Sequence, residues 1–266
     1  MNKPVIQLLL IEDSQTDALL LEDALRQDVL NLFVFTMADR LELGEEALRK
    51  QEFDLVLLDL GLPDSQGFES FEKLHQVNPD TPVIVLSGLA DEKLALEAVQ
   101  AGAQDYLVKG PTSWEIAPRA IRYAIERRRA QAALRESEEQ YRLLFENAPV
   151  GILSVTVDGK ITDVNTTALQ ILGSPSVEAT KKINLLEFSS LIEVGISSDF
   201  QACIESNQTI SAECSYSTKW NKSIFVKYHL TPVLNAAGKI VLVQLIIEDI
   251  SELREFDAAA CPHSTR

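Results

Sequence analysis

Asp59 closes an apolar run, Asp54-Leu-Val-Leu-Leu-Asp59-Leu-Gly-Leu-Pro-Asp64, and the same punctuation recurs three times in the first half of the chain. Val5–Ile11 runs into Glu12-Asp13, Pro82–Leu86 into Ser87-Gly88, and Gln104–Val108 into Lys109. Carboxylates gathered at neighbouring strand ends repel one another unless a hard divalent cation neutralises them. Mg²⁺ takes oxygen ligands in an octahedron and keeps several waters. Asp13 and Asp59 can each give it one oxygen, the backbone carbonyl of Gly61 a third, and Glu12 can reach it through a water. Phosphoryl transfer asks the protein for positioning and positive charge more than for covalent help. Lys109, the Ser87 hydroxyl and nearby backbone N–H groups supply these. Asp59 is then the nucleophile that becomes an aspartyl phosphate. Taken singly, each residue is explained as a helix cap, a turn or a surface lysine. Their joint appearance at the ends of strands one, three, four and five carries the assignment.

These residues need a scaffold. The four runs, with another at 32–37, read as short buried strands, β-branched or Leu-rich and stopped by turn residues. Strands at 5–11, 32–37, 54–58, 82–86 and 104–108 alternate with amphipathic helices near 14–26, 41–50, 66–77 and 91–101, and one starting near Thr112. Five such units predict a doubly wound α/β fold with a five-stranded parallel sheet covered on both faces. A carboxylate at the C-terminal mouth of such a strand points into the crevice where these sheets bind ligands.

Beyond Thr112 the chain lacks glycine up to Phe145, and its one proline there, Pro118, falls in the first two turns. The rest is rich in Ala, Glu, Arg and Leu, so a helical connector is expected over 112–145. Ile116, Ala120, Tyr123, Arg127, Ala130, Leu134, Ser137, Tyr141 and Leu144 follow the four–three spacing of a coiled-coil seam. Residues 147–253 change character. Gly151–Val157 and Lys160–Asn165 flank an Asp158-Gly159 hairpin turn. Helical segments follow over 166–206, then strand-like runs at 209–218, 222–234 and 239–249. This order predicts an α+β domain with an antiparallel sheet. The tail, 254–266, has no pattern and is expected to be disordered.

Residues 5–128 resemble a two-component response-regulator receiver domain. The resemblance lies in Leu10-Ile-Glu-Asp13, Asp54–Pro63, Pro82–Gly88 and Ala101–Lys109. It implies a flavodoxin-like fold over 1–128, Mg²⁺ held by Glu12, Asp13, Asp59 and the Gly61 carbonyl, and phosphorylation of Asp59 by a histidine kinase or phosphotransfer protein. It also implies a switch made of Ser87, Gly88, Tyr106 and Lys109, in which Ser87 bonds the phosphoryl group and Tyr106 moves inward. Two positions depart from the family pattern. Glu12 replaces an aspartate and lengthens the metal arm. Gly110 stands where a proline usually follows the lysine, which leaves cis and trans both open at that bond, since a non-proline cis bond costs ~3 kcal/mol. Residues 138–253 resemble a PAS domain, through Glu139–Gly151, Asp158–Asn165 and Glu248-Asp-Ile-Ser251. That resemblance implies a sensing or dimerising module and transfers no cofactor. Cys203 and Cys214 lack the flavin-binding context, and His229, the module's one histidine, reads as an ordinary packed or surface residue, like Trp220 and Tyr228.

The formal net charge is −16, from 24 basic and 40 acidic side chains. It argues against direct nucleic-acid binding and against anionic membranes. The basic cluster Arg127-Arg128-Arg129 reads as a solvated helix face. No apolar stretch approaches the ~18–20 residues of a membrane span, and no signal peptide precedes the first strand. Cys203, Cys214 and Cys261 show no metal spacing, which suits a reduced cytoplasm. The expectation is therefore a cytoplasmic signalling regulator and not an enzyme. Its expected partners are a histidine kinase or phosphotransfer protein and a second copy, bound through the fourth and fifth receiver helices and the connector. Three alternatives stand beside it. One reads the chain as the N-terminal input region of a larger sensor kinase or cyclase, and another as a ligand or redox sensor whose PAS part takes the primary signal. A phosphatase would usually need a second Asp two residues after the nucleophile, where Gly61 stands.

Overall fold

The structure is a computed structural model that describes residues 3–88 and 92–251. The expected tail at 254–266 and Cys261 lie outside the described residues. The chain divides into two compact units, one up to Glu136 and one from Ser137.

The first unit alternates β1 (Val5–Ile11), α1 (Gln15–Arg26), β2 (Leu32–Ala38), α2 (Leu41–Lys50), β3 (Leu55–Asp59), α3 (Phe68–Val77), β4 (Val83–Ser87), α4 (Glu92–Gln100), β5 (Asp105–Val108) and α5 (Pro111–Glu146). All strand pairs are parallel, in the order β2-β1-β3-β4-β5. The central strands β3 and β4 are apolar and buried along their length because helices cover both faces of the sheet. One face packs Leu8, Leu10, Leu57 and Ile84 against α1 and α5. The other packs Leu9, Val56, Leu58 and Val85 against α2, α3 and α4. Strand order reverses between β1 and β3, the topological switch point at which such sheets bind ligands.

The second unit contains β6 (Gly151–Thr156), β7 (Ile161–Val164), α6 (Thr166–Leu172), α7 (Val177–Lys181), α8 (Ser189–Glu193), α9 (Ile196–Ser206), β8 (Ile210–Ser217), β9 (Ser223–Leu234) and β10 (Ile240–Asp249). Its sheet is antiparallel, in the order β7-β6-β10-β9-β8. The turn between β6 and β7 needs Gly159, whose φ is +85° and whose added Cβ would meet Asn184 Oδ1 at 2.2 Å.

Helix α5 runs across the boundary between the units. Its first turns bury Trp114, Ala117, Ile121, Ala124 and Ile125 in the first unit. Arg127 and Arg129 are exposed, as expected of a solvated helix face. The structure adds surface ion pairs to it: Arg128 pairs with Asp80 and donates to its carbonyl, while Arg129 lies 2.9 Å from Asp54. Asp54 and Asp80 precede β3 and β4, and sheet assembly brings these loops beside the helix.

Candidate functional site

Strand register gathers the chemistry. Ile11 pairs with Leu58, Asp59 with Leu86, and Ser87 with Val108. Glu12, Asp59, Ser87 and Lys109 therefore emerge at one end of four adjacent strands. Lys109 N–H also donates to the Ser87 carbonyl at 2.8 Å, continuing the pairing one residue further.

Lys109 Nζ donates to Asp59 Oδ2 and to Glu12 Oε1, both at 2.8 Å. Glu12 Oε2 lies 2.7 Å from the same ammonium without the geometry of a hydrogen bond, so it is a buried ion-pair contact with no donor of its own. Gly61 N–H donates to Asp59 Oδ1 at 3.1 Å, and Ser14 N–H to Glu12 Oε1 at 3.1 Å. Asp59 and Glu12 are 5 % and 6 % exposed, while Asp13 faces solvent. Burial pushes the Glu12 carboxyl up to about 7; the hydrogen bond from Lys109 opposes this and the Asp59 charge adds to it. Burial lowers the Lys109 pKa, but the hydrogen bonds to Asp59 and Glu12 outweigh it and hold the ammonium above the ordinary lysine range.

Ser87 Oγ is fully buried and has no hydrogen-bond partner. An orphaned buried hydroxyl costs ~1–3 kcal/mol, so such groups are uncommon in native interiors. Tyr106 is half-buried and packs against the α2–α4 side of the sheet. Gly88 follows Ser87 directly. No cis peptide occurs among the described residues, and Gly110 takes φ +152°, a conformation that favours glycine. The turn after Lys109 is thus built on glycine where the family pattern has proline.

Oxygens of Glu12, Asp13 and Asp59 lie within 4.8 Å of one another, the one such group among the described residues. Three carboxylates, one of them open to water, suit a hard oxygen-seeking cation that keeps part of its hydration shell. The sequence reading missed Asp17, whose Oδ2 lies 3.5 Å from Lys109 Nζ. The available signal was Ser14-x-x-Asp17, a helix-capping spacing whose acid is here turned elsewhere.

In the second unit an apolar cavity of about 40 Å³ lies among Leu153, Ile161, Leu185, Phe188, Trp220 and Leu245. That is well below the ~300–1,000 Å³ of ordinary ligand pockets. Tyr228 is core and donates to Asp199 Oδ2 at 2.6 Å; His229 Nδ1 lies 2.6 Å from Ser211 Oγ. Cys203 is buried and its thiol meets the Leu230 carbonyl; Cys214 is half-buried.

Residues 8–120 match the response regulator receiver domain family, and residues 149–252 match the PAS domain family. The chain joins a receiver domain to a PAS domain. This combination is that of a two-component signalling regulator. The KDP operon transcriptional regulatory protein KdpE of Escherichia coli is 40% identical over 127 residues, 47% of this chain and 53% of that protein. KdpE of Staphylococcus aureus is 31% identical over 159 residues, 60% of this chain and 62% of its own length. This chain therefore spans about half to three-fifths of those relatives. Among solved structures, a CheY-like receiver domain from Methanospirillum hungatei aligns with TM-score 0.42 and 22% identity, covering 48% of this chain and 98% of its own. The PAS domain of an HTR-like protein from Haloarcula marismortui aligns with TM-score 0.37 and 23% identity, covering 46% and 98%. No described helix is long and apolar enough to cross a membrane.

Proposed function

We propose that this chain is a cytoplasmic, phosphorylation-controlled regulator in which Asp59 accepts a phosphoryl group from a histidine kinase or phosphotransfer protein. An Asp59 carboxylate oxygen attacks phosphorus. The new O–P bond forms as the donor's P–N bond breaks, and the imidazole nitrogen leaves with the electron pair. Lys109 already lies against Asp59 and is placed to neutralise charge on the phosphoryl oxygens. Glu12, Asp13, Asp59 and the Gly61 carbonyl would hold Mg²⁺, which when bound supplies further positive charge to the transferring group. The observation that carries the reading is the buried, unpartnered Ser87 hydroxyl beside an acid bridged to lysine. A phosphoryl oxygen on Asp59 would give that hydroxyl the acceptor it lacks.

The product state would then favour a different packing of Tyr106 and the surface of α4, β5 and α5. Helix α5 runs without a break from the receiver into Phe145, which is buried in the PAS unit, and would carry the change. Leu96, Ile116, Tyr123, Leu134, Tyr141 and Leu144 are exposed apolar residues on α4 and α5, which supports pairing with a second copy. The test is phosphoryl labelling by acetyl phosphate or a kinase, with Asp59→Asn beside the wild type. Labelling of the wild type alone is expected; equal labelling of Asp59→Asn would overturn the reading. Solution mass with and without beryllofluoride then reports whether phosphorylation alters pairing.

A further inference from the structure

Asp17 occupies the third helical position of α1, after the cap residue Ser14. Its own N–H donates to Ser14 Oγ at 3.3 Å, as capping requires. In a reciprocal capping box the acid at this position would accept the N–H of the cap residue. Here Ser14 N–H goes to Glu12 Oε1 instead, and the Asp17 carboxylate points to Lys109 Nζ at 3.5 Å. A side chain suited to capping its own helix is thus turned toward the phosphoacceptor cleft.

Lys109 has three carboxylate neighbours, Glu12, Asp59 and Asp17. On the reading of Asp59 as phosphoacceptor, on which this inference rests, two of the three have another task. Asp59 becomes an acyl phosphate and Glu12 belongs to the three-carboxylate group, whereas Asp17 does not. We propose that Asp17 is a positioning residue for Lys109, the carboxylate that keeps the ammonium over Asp59 when the other two are engaged. It touches neither phosphorus nor the attacking oxygen. Its side chain is 31% exposed, so solvent screens the pair and the effect is modest.

The test measures phosphorylation by acetyl phosphate, whose P–O bond breaks with acetate leaving on the electron pair. Asp17→Asn and Asp17→Ser both keep the N–H that Ser14 accepts, so the helix start stays intact in either. Each is expected to phosphorylate about threefold more slowly than wild type, with Asp17→Glu recovering most of the rate. In a Lys109→Ala background, Asp17→Asn is expected to change nothing, an outcome that a general loss of stability would not give. Variants as fast as a labelled wild type, or a loss that persists without Lys109, overturn the role of Asp17 and leave Asp59 as phosphoacceptor. A wild type that is never labelled overturns both.

Discussion

The receiver cleft and the PAS interior treat buried polar groups in opposite ways. In the PAS unit Asn165 is fully buried and every bond of its amide is made. Its Oδ1 accepts from Ile152 and Ala168, both at 2.9 Å, and its Nδ2 donates to the carbonyls of Phe145 at 2.9 Å and Val150 at 3.0 Å. One side chain thereby ties the end of α5 to the start of β6 and to the first turn of α6. In the receiver cleft Ser87 Oγ has no partner, and Glu12 Oε2 has a lysine nearby but no hydrogen bond. A satisfied network fixes a structure. An unsatisfied one is held in place by its surroundings and has capacity left for something that arrives.

The largest expected effect tests the satisfied side. Asn165→Ala orphans two N–H groups and two carbonyls, and should destabilise the PAS unit by about 3 kcal/mol. Urea unfolding of the two units reads this as an early PAS transition; a loss below ~1 kcal/mol would show that the network does not anchor the unit.

The next effect tests how the open cleft is supported from behind. A Cβ on Gly44 would lie 2.2 Å from Ile11 Cδ1 and 2.8 Å from its Cγ1, and Ile11 directly precedes Glu12. Gly44→Val should cost about 2 kcal/mol by overpacking and should weaken Mg²⁺ binding by moving Glu12 and Asp13. Metal titration followed by tryptophan fluorescence checks both, and unchanged values would mean that Ile11 yields freely.

Asp64 comes third. Its two carboxylate oxygens accept from Leu41 N and Glu42 N, each at 3.0 Å, and so cap α2 from the loop after β3. Asp64→Ala should cost about 1 kcal/mol in thermal unfolding.

Ser87→Ala sharpens the comparison most directly. Because the hydroxyl is buried without a partner, removing it should not cost stability and should raise it by ~1 kcal/mol, while beryllofluoride binding weakens. A stability loss equal to that of Asn165→Ala would erase the contrast.

The smallest effect is a pH dependence. Burial raises the Asp28 carboxyl, but the backbone N–H groups of Asn31 and Leu30 and the Arg122 guanidinium outweigh it and hold its pKa low. A depressed folded-state pKa contributes stability above the unfolded value of ~3.9, lost as pH falls through the folded value. Wild type should therefore weaken below about pH 4, and Asp28→Asn should show a shallower slope there.

The strands, most helices and the residues at the strand ends were legible because their signals are local. Apolar runs four to seven residues long, closed by Gly, Pro or Asp, mark strand and turn wherever they occur. The roles of Arg128 and Arg129 were not legible, since their partners Asp80 and Asp54 lie 48 and 75 residues away. The Asp17–Lys109 contact was not legible either, since the two residues stand 92 positions apart. The PAS cavity was hidden for another reason: its volume depends on how tightly non-adjacent side chains meet, which spacing does not encode.

By itself the sequence determined the alternation of strand and helix, the charge, and which side chains stand at each strand end, because these depend on neighbours along the chain. It also placed glycine at position 110, where the backbone takes a φ that favours glycine. The tertiary structure alone decided that Lys109 lies between Asp59 and Glu12, that Asp17 turns away from its own helix, and that Ser87 has no partner. Those facts depend on the register of four parallel strands and on the packing of α1 beside them, and both exist only once the sheet has assembled.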